Sequence, residues 1–99
     1  GMTRGSTPTF IVTLPADVSV YTGIDIYFAQ NGDVILDKDI TSLTLSGNEV
    51  SFTMSEAESL KFTACVPAEI QIRLVTGDGK IFISEIRRIA LLKKYPLGD

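Results

Sequence analysis

Apolar and polar residues alternate with a period of two along almost the whole chain, the pattern of half-buried β-strands. Phe10, Val12 and Leu14 alternate with Thr9, Ile11 and Thr13, and Ile24, Ile26 and Phe28 alternate with Asp25, Tyr27 and Ala29. Between Tyr27 and Ile40 the chain then reads as a hairpin. Its turn is Asn31-Gly32, the dipeptide that most readily takes the two positive φ angles of a type I′ turn, and Val34 and Leu36 resume the alternation against Asp37. A second hairpin follows: a short strand with Leu43 and Leu45, a turn over 46–48, and a strand in which Val50, Phe52 and Met54 point one way. Ile70, Ile72 and Leu74 alternate with Gln71 and Arg73, Gly77-Asp78-Gly79 turns the chain, and Ile81 to about Leu91 returns as the last strand. Pro15 closes the first strand and Pro67 opens the sixth, where a missing N–H is tolerated.

Two places depart from this period. In "SEAESLKF", Ser55 precedes Glu58 by three residues, the spacing of a capping box, so one short helical turn is expected near residues 55–61. In the last strand Ile81 and Ile83 share a parity that Ile86 breaks and Ile89 and Leu91 restore. A β-bulge over Ser84 to Ile86 reconciles the two, because one extra residue exchanges the faces that follow it. About seven strands at hairpin spacing imply an all-β fold, an immunoglobulin-like antiparallel β-sandwich, with a small barrel as the alternative. The sandwich is placed at residues 8–92, between a tag scar with an N-terminal arm over 1–7 and a C-terminal tail over 93–99.

Composition adds mainly exclusions. The 99 residues are 44% hydrophobic and 21% charged, which suits a packed core rather than disorder. Twelve acids against nine bases give a net charge of −3, so a nucleic-acid partner is not expected. Arg87, Arg88, Lys93 and Lys94 read as a solvated edge and tail. No apolar run approaches the roughly 18 residues of a membrane span, and none after Met2 has the length of a signal-peptide core. Cys65 stands alone between Ala64 and Val66, and a small buried thiol is expected there.

The chain has no histidine, which removes Ser-His and Cys-His catalysis and the usual zinc sites. Asp37 and Asp39 would lie roughly 7 Å apart on one strand face, and with Asp33 they are the remaining oxygen-ligand candidates. Acids alternating along a solvated strand are ordinary, so no catalytic residue, metal or cofactor is assigned. Asp78 is read as a turn former.

What remains is surface. Tyr27 and Ala29 lie on the face opposite Ile26 and Phe28, and Phe82 lies opposite Ile81 and Ile83, so two strands are apolar on both sides. Either the segment Ile89–Asp99 folds back over them, or Tyr27, Ala29 and Phe82 form an assembly interface.

The stretches "TRGSTPTFIVTLP", "IDIYFAQNGDVILDKD", "LSGNEVSFTMSEAESLKF" and "EIQIRLVTGDGKIFISEI", in that order, resemble short proteins encoded among the virion structural genes of Firmicute phages and prophages. These resemble in turn the N-terminal immunoglobulin-like domain of phage baseplate upper proteins, which anchors receptor-binding machinery to the tail. The resemblance covers nearly the whole chain and stops short of the stalk that follows in baseplate upper proteins. It implies a non-enzymatic, virion-associated structural protein that contacts itself or another tail protein, located in the virion or, during assembly, in the bacterial cytoplasm. It carries no catalytic or ligand residue with it. An independent binding module for a cell-surface carbohydrate or polymer is the alternative, and would show exposed aromatics gathered on one concave face.

Overall fold

Strand β3 (Tyr21–Gln30) organises the chain. Its side chains alternate, so Ile24, Ile26 and Phe28 are 0–1% exposed while Asp25, Tyr27 and Ala29 sit half-buried on the other face. The computed structural model to which β3 belongs describes residues 2–3, 5–84, 87–89 and 91–92, with side chains over 5–84. Strand β3 pairs antiparallel on both sides, with β4 (Asp33–Lys38) and with β7 (Ala68–Thr76). The turn into β4 takes φ of +52° at Asn31 and +81° at Gly32, the two positive angles that the dipeptide announces.

The β3–β4 ladder holds a bulge that the alternation does not reveal. Phe28 is opposite Leu36, but Ala29 is opposite Val34, so Ile35 is the extra residue. Leu36 keeps the inward face, whereas Val34, expected beside it, is turned out and 60% exposed.

The facing sheet is built on β6 (Glu49–Thr53), flanked by β2 (Thr9–Thr13) and β5 (Thr44–Ser46). Leu43 lies just before β5 and packs on the core, and the turn between β5 and β6 is made by Gly47 and Asn48. Phe28 is where the two sheets meet. Its ring lies 5.2 Å from Phe10 and 5.7 Å from Phe52, both edge-on, and Phe10 and Phe52 stack at 5.3 Å. Phe62 closes the end of the cluster at 6.1 Å.

Phe62 is delivered by the expected helical turn, α1 (Glu56–Ser59), which carries the chain from β6 to β7. Both capping-box bonds form: the Glu58 N–H donates to Ser55 Oγ at 3.1 Å and the Ser55 N–H to Glu58 Oε1 at 2.9 Å. Glu58 also receives Lys38 from the end of β4 in an ion pair that ties the helix to the other sheet. The same ammonium lies 5.8 Å from the Phe52 ring centre. Burial pushes the Glu58 carboxyl up, but the Lys38 and Ser55 bonds outweigh it and hold the group below its ordinary value. Ser59 is fully buried, and its hydroxyl accepts the Gly5 N–H at 2.6 Å, anchoring the N-terminal arm. Within that arm, β1 (Met2–Thr3) pairs in parallel with β10 (Leu91–Leu92).

The last strand is divided as its parity requires. Leu74 faces Phe82 and Arg73 faces Ile83 in β8 (Ile81–Ile83), but Ile70 faces Arg87 in β9 (Arg87–Ile89), where an unbroken register would have placed residue 86. One residue has been gained between them. The bulge begins at Ser84: the Ile72 N–H bonds the serine hydroxyl at 2.9 Å, and the Ser84 carbonyl accepts from Gln71 Nε2 at 3.2 Å. Residues 85 and 86, on which the rest of the expected bulge falls, lie outside the described residues, as do Ala90 and the tail over 93–99.

The architecture is a sandwich of two antiparallel sheets, β2-β6-β5 against β4-β3-β7-β8, with hairpins β3–β4, β5–β6 and β7–β8. The β2–β3, β4–β5 and β6–β7 connections cross between sheets. The barrel alternative does not hold. The last strand appears in three pieces, and β1 is added, so ten short strands are described where about seven were expected.

Two outcomes follow for stability. Phe28→Ala should cost about 3–5 kcal/mol, as for a fully buried phenylalanine, read from urea unfolding; a loss of below about 1 kcal/mol would place the sheet contact elsewhere. Glu58→Gln should lower the thermal midpoint at pH 7. Because the native carboxyl titrates below its ordinary 4.5, this stabilisation is complete above that pH and lost as the pH falls through the native value. The parent and the variant should therefore converge in acid.

Candidate functional site: the open side between β2 and β8

The two sheets differ in width. Three strands face a sheet in which β7 continues into β8, so the inner face of β8 extends past β2 and no described strand covers it. Cross-strand neighbours share a face, and Phe82 lies opposite Leu74, which lies opposite the buried Ile24. Phe82 is therefore an inner-face residue, yet it is 53% exposed. Ile81 and Ile83 belong to the outer face. The alternation leaves open which side of β8 is inward; the turn at Gly77 to Gly79 decides it by setting Phe82 against Leu74.

Between β2 and β8 lies a groove of about 610 Å³. Ile11, Val12 and Leu14 form one wall, and Ile70, Ile72, Leu74, Phe82 and Ile83 the other. No residue of the lining is ionisable. Such a surface can exclude water from an apolar partner, and it offers no acid or base to activate the Thr13 and Ser84 hydroxyls in its lining. Ile11 at 65% exposure and Ile83 at 61% stand on its opposite rims. The alternation of its strand puts Ile11 with Thr9 and Thr13. An isoleucine between two threonines on a face otherwise given to solvent was the available signal for this side of the molecule.

Tyr27 and Ala29 lie where the alternation puts them, on the outer face of the larger sheet, beside a shallow hollow of about 350 Å³ with Gly32, Val34, Glu69 and Gln71. Tyr27 is flanked by Gln71 on β7 and Asp37 on β4. Its hydroxyl is raised above the ordinary tyrosine value, by partial burial first and then by the charges of Asp25 and Asp37. Phe82 is on the opposite face of this sheet. Tyr27 and Ala29 thus form one surface and Phe82 another, and among the described residues these aromatics do not gather on one concave face.

The carboxylates do not converge. Asp39 leaves the strand and caps a single 3₁₀ turn (Ile40–Ser42), accepting from the Thr41 N–H at 3.0 Å and the Thr41 hydroxyl at 2.6 Å. These bonds lower its pKa. Asp37 stays on the outer face, where partial desolvation and the charges of Asp25 and Asp39 raise its pKa. Asp25 is 3.9 Å from Arg73 across the ladder. Asp78 accepts from the Thr76 hydroxyl inside the third turn, as a turn former does. Among the described residues no group of three metal-ligating side chains forms.

Cys65 is exposed, against expectation. Gln30, buried at the end of β3, donates from Nε2 to the Thr63 and Val66 carbonyls at 2.9 Å each, and its Oε1 accepts the Thr63 N–H at 2.8 Å. The loop is gripped on both sides of Cys65, which takes φ of +65° at the outward tip. Its apolar neighbours said nothing of that turn.

No protein-family model matches the chain, and no curated protein matches it in sequence. In fold it is similar to the immunoglobulin-like domain of mouse leukocyte-associated immunoglobulin-like receptor 1, solved as a strand-swapped dimer. The TM-score is 0.54 at 12% identity, covering 94% of this chain and 88% of that one. The fold is an immunoglobulin-like β-sandwich.

Asp37→Asn should raise the thermal midpoint at neutral pH, because the native state holds that carboxyl above its ordinary value and is penalised once it ionises. The penalty is absent well below pH 3.8 and appears as the pH rises through the native value, so the gain should vanish in acid. A gain independent of pH would assign it to packing instead.

Proposed function

We propose that this protein is a non-enzymatic structural domain of a phage or prophage virion, of the tail or baseplate type, and that it works through protein–protein contact. The observation that carries the contact reading is the open side of the sandwich. Ile11, Ile81, Phe82 and Ile83 stand exposed along two neighbouring sheet edges and an uncharged groove. Monomeric proteins seldom leave large apolar side chains gathered in this way unless a partner covers them. The free edge of β8 is short, but Ile81, Phe82 and Ile83 put no charge on it, and charge is one of the means by which monomeric β proteins suppress pairing at an edge.

The virion reading is supported by the order and content of the strand and turn segments that resemble phage structural proteins. The similar mouse domain is a strand-swapped dimer, an instance of this fold associating with itself through its strands. Non-enzymatic action agrees with a groove that holds no titratable side chain and with acids that cap turns or face solvent separately.

The test is the composition of particles induced from a lysogen that carries the coding sequence. Quantitative mass spectrometry should find the chain at a fixed ratio to the tail proteins, and Phe82→Glu should remove it from particles while leaving its thermal midpoint nearly unchanged. Absence of the parent chain from purified particles would overturn the virion reading.

A further inference from the structure

The backbone of β8 is more specific than its side chains about what can lie against it. In an antiparallel ladder alternate residues direct both N–H and C=O to one neighbour, and the residues between direct theirs away. The bonds Thr76 N–H to the Lys80 carbonyl and Ser84 N–H to the Ile72 carbonyl, each 2.9 Å, mark positions 80 and 84 as facing β7. Phe82, midway between them, faces β7 as well. Ile81 and Ile83 therefore present their N–H and C=O groups to the open edge, where no described strand pairs with β8.

The geometry points to a second copy of this chain as the occupant of that edge, docked β8 to β8 in antiparallel order about a two-fold axis at Phe82. The inference rests on the contact reading above and adds the partner and the register. About such an axis Ile81 lies opposite the partner's Ile83, and Ile83 opposite the partner's Ile81. These are the outward-facing positions, so the two pairs exchange four backbone hydrogen bonds. Phe82 meets the partner's Phe82 at the intervening non-bonded pair, where side chains approach most closely. The register is also compatible in charge, because Lys80 comes opposite the partner's Ser84 and no like charges meet. One strand thus supplies both halves of a closed, self-complementary interface, as a two-fold contact demands. The two larger sheets become one, and each groove gains the partner's phenylalanine at its rim.

A charge-swap pair tests the register. In I81K/I83K, two lysines oppose each other across the axis twice. In I81K/I83E, each lysine opposes a glutamate twice. The replaced side chains are exposed, and thermal melting checks that each variant folds. Sedimentation equilibrium should show the parent dimerising, I81K/I83K weakened by about tenfold or more, and I81K/I83E restored toward the parent.

Amide exchange on the parent tests the edge without substitution. Protection at Ile81 and Ile83 should rise with protein concentration, while Phe82, bonded to β7, is protected throughout. A parent dimer that both variants leave unchanged, with no concentration dependence at Ile81 and Ile83, would overturn the β8 pairing and leave contact through another face standing. A parent that stays monomeric at every concentration would overturn the second-copy assignment. The particle experiment would still judge the contact reading by itself.

Discussion

The contact of Phe28 with Phe10 and Phe52 decides how the rest of the chain is arranged. Phe28 belongs to the central strand of one sheet, Phe52 to the central strand of the other, and Phe10 to the strand beside it. Once these rings interlock, the two sheets can neither slide nor rotate freely, and the alternation along β3 commits Tyr27 and Ala29 to the outside. The helical turn brings Phe62 onto the end of the same cluster. Its capping box and the Lys38–Glu58 pair hold it there.

The same cluster explains why one side stays open. It lies over β3, and the smaller sheet is centred on it, so the coverage that β2 provides runs out before β8. Leu74 is still buried, its neighbour Phe82 is half in water, and Ile81 and Ile83, on the outer face of the same strand, are more than half exposed. Apolar area left uncovered beside two edges that no described strand pairs is a source of binding free energy. The proposed protein contact would draw on this area.

Legibility in the sequence followed the range of the forces involved. Local constraints were readable: Asn31-Gly32 for its backbone angles, Ser55 and Glu58 for their reciprocal bonds, and the parity change that requires a bulge after Ile83. Properties set by a neighbouring strand were not. Val34 turns outward because Ile35 bulges against β3, and Cys65 is exposed because Gln30, thirty-odd residues away, grips its loop. Phe82 illustrates the limit for the candidate site. Its alternation with Ile81 and Ile83 was evident, but which face is inward depends on its register with Leu74. That register is set by the turn and the ladder, and a two-sided apolar strand fits either choice. Ile11, the far rim of the groove, was visible only as an apolar residue on a polar face.

The bulge at Ser84 also bears on what a free β8 edge can do. A long uncharged edge accepts strand after strand and leads to open-ended aggregation. Here the straight, unprotected part is three residues long, bounded by Lys80 before it and by the bulge after it. At Ser84 the ladder already departs from regularity. The serine hydroxyl takes the place of its carbonyl toward Ile72, and the carbonyl turns to Gln71. A strand docked on Ile81 to Ile83 therefore finds only four hydrogen-bonding groups in line, two N–H and two C=O. Antiparallel pairing with an identical strand satisfies all of them at once and leaves none for a third copy. Short length and a terminal bulge are common defences of sheet edges; in β8 they leave room on an apolar edge for a single strand, the condition that the proposed two-fold contact requires.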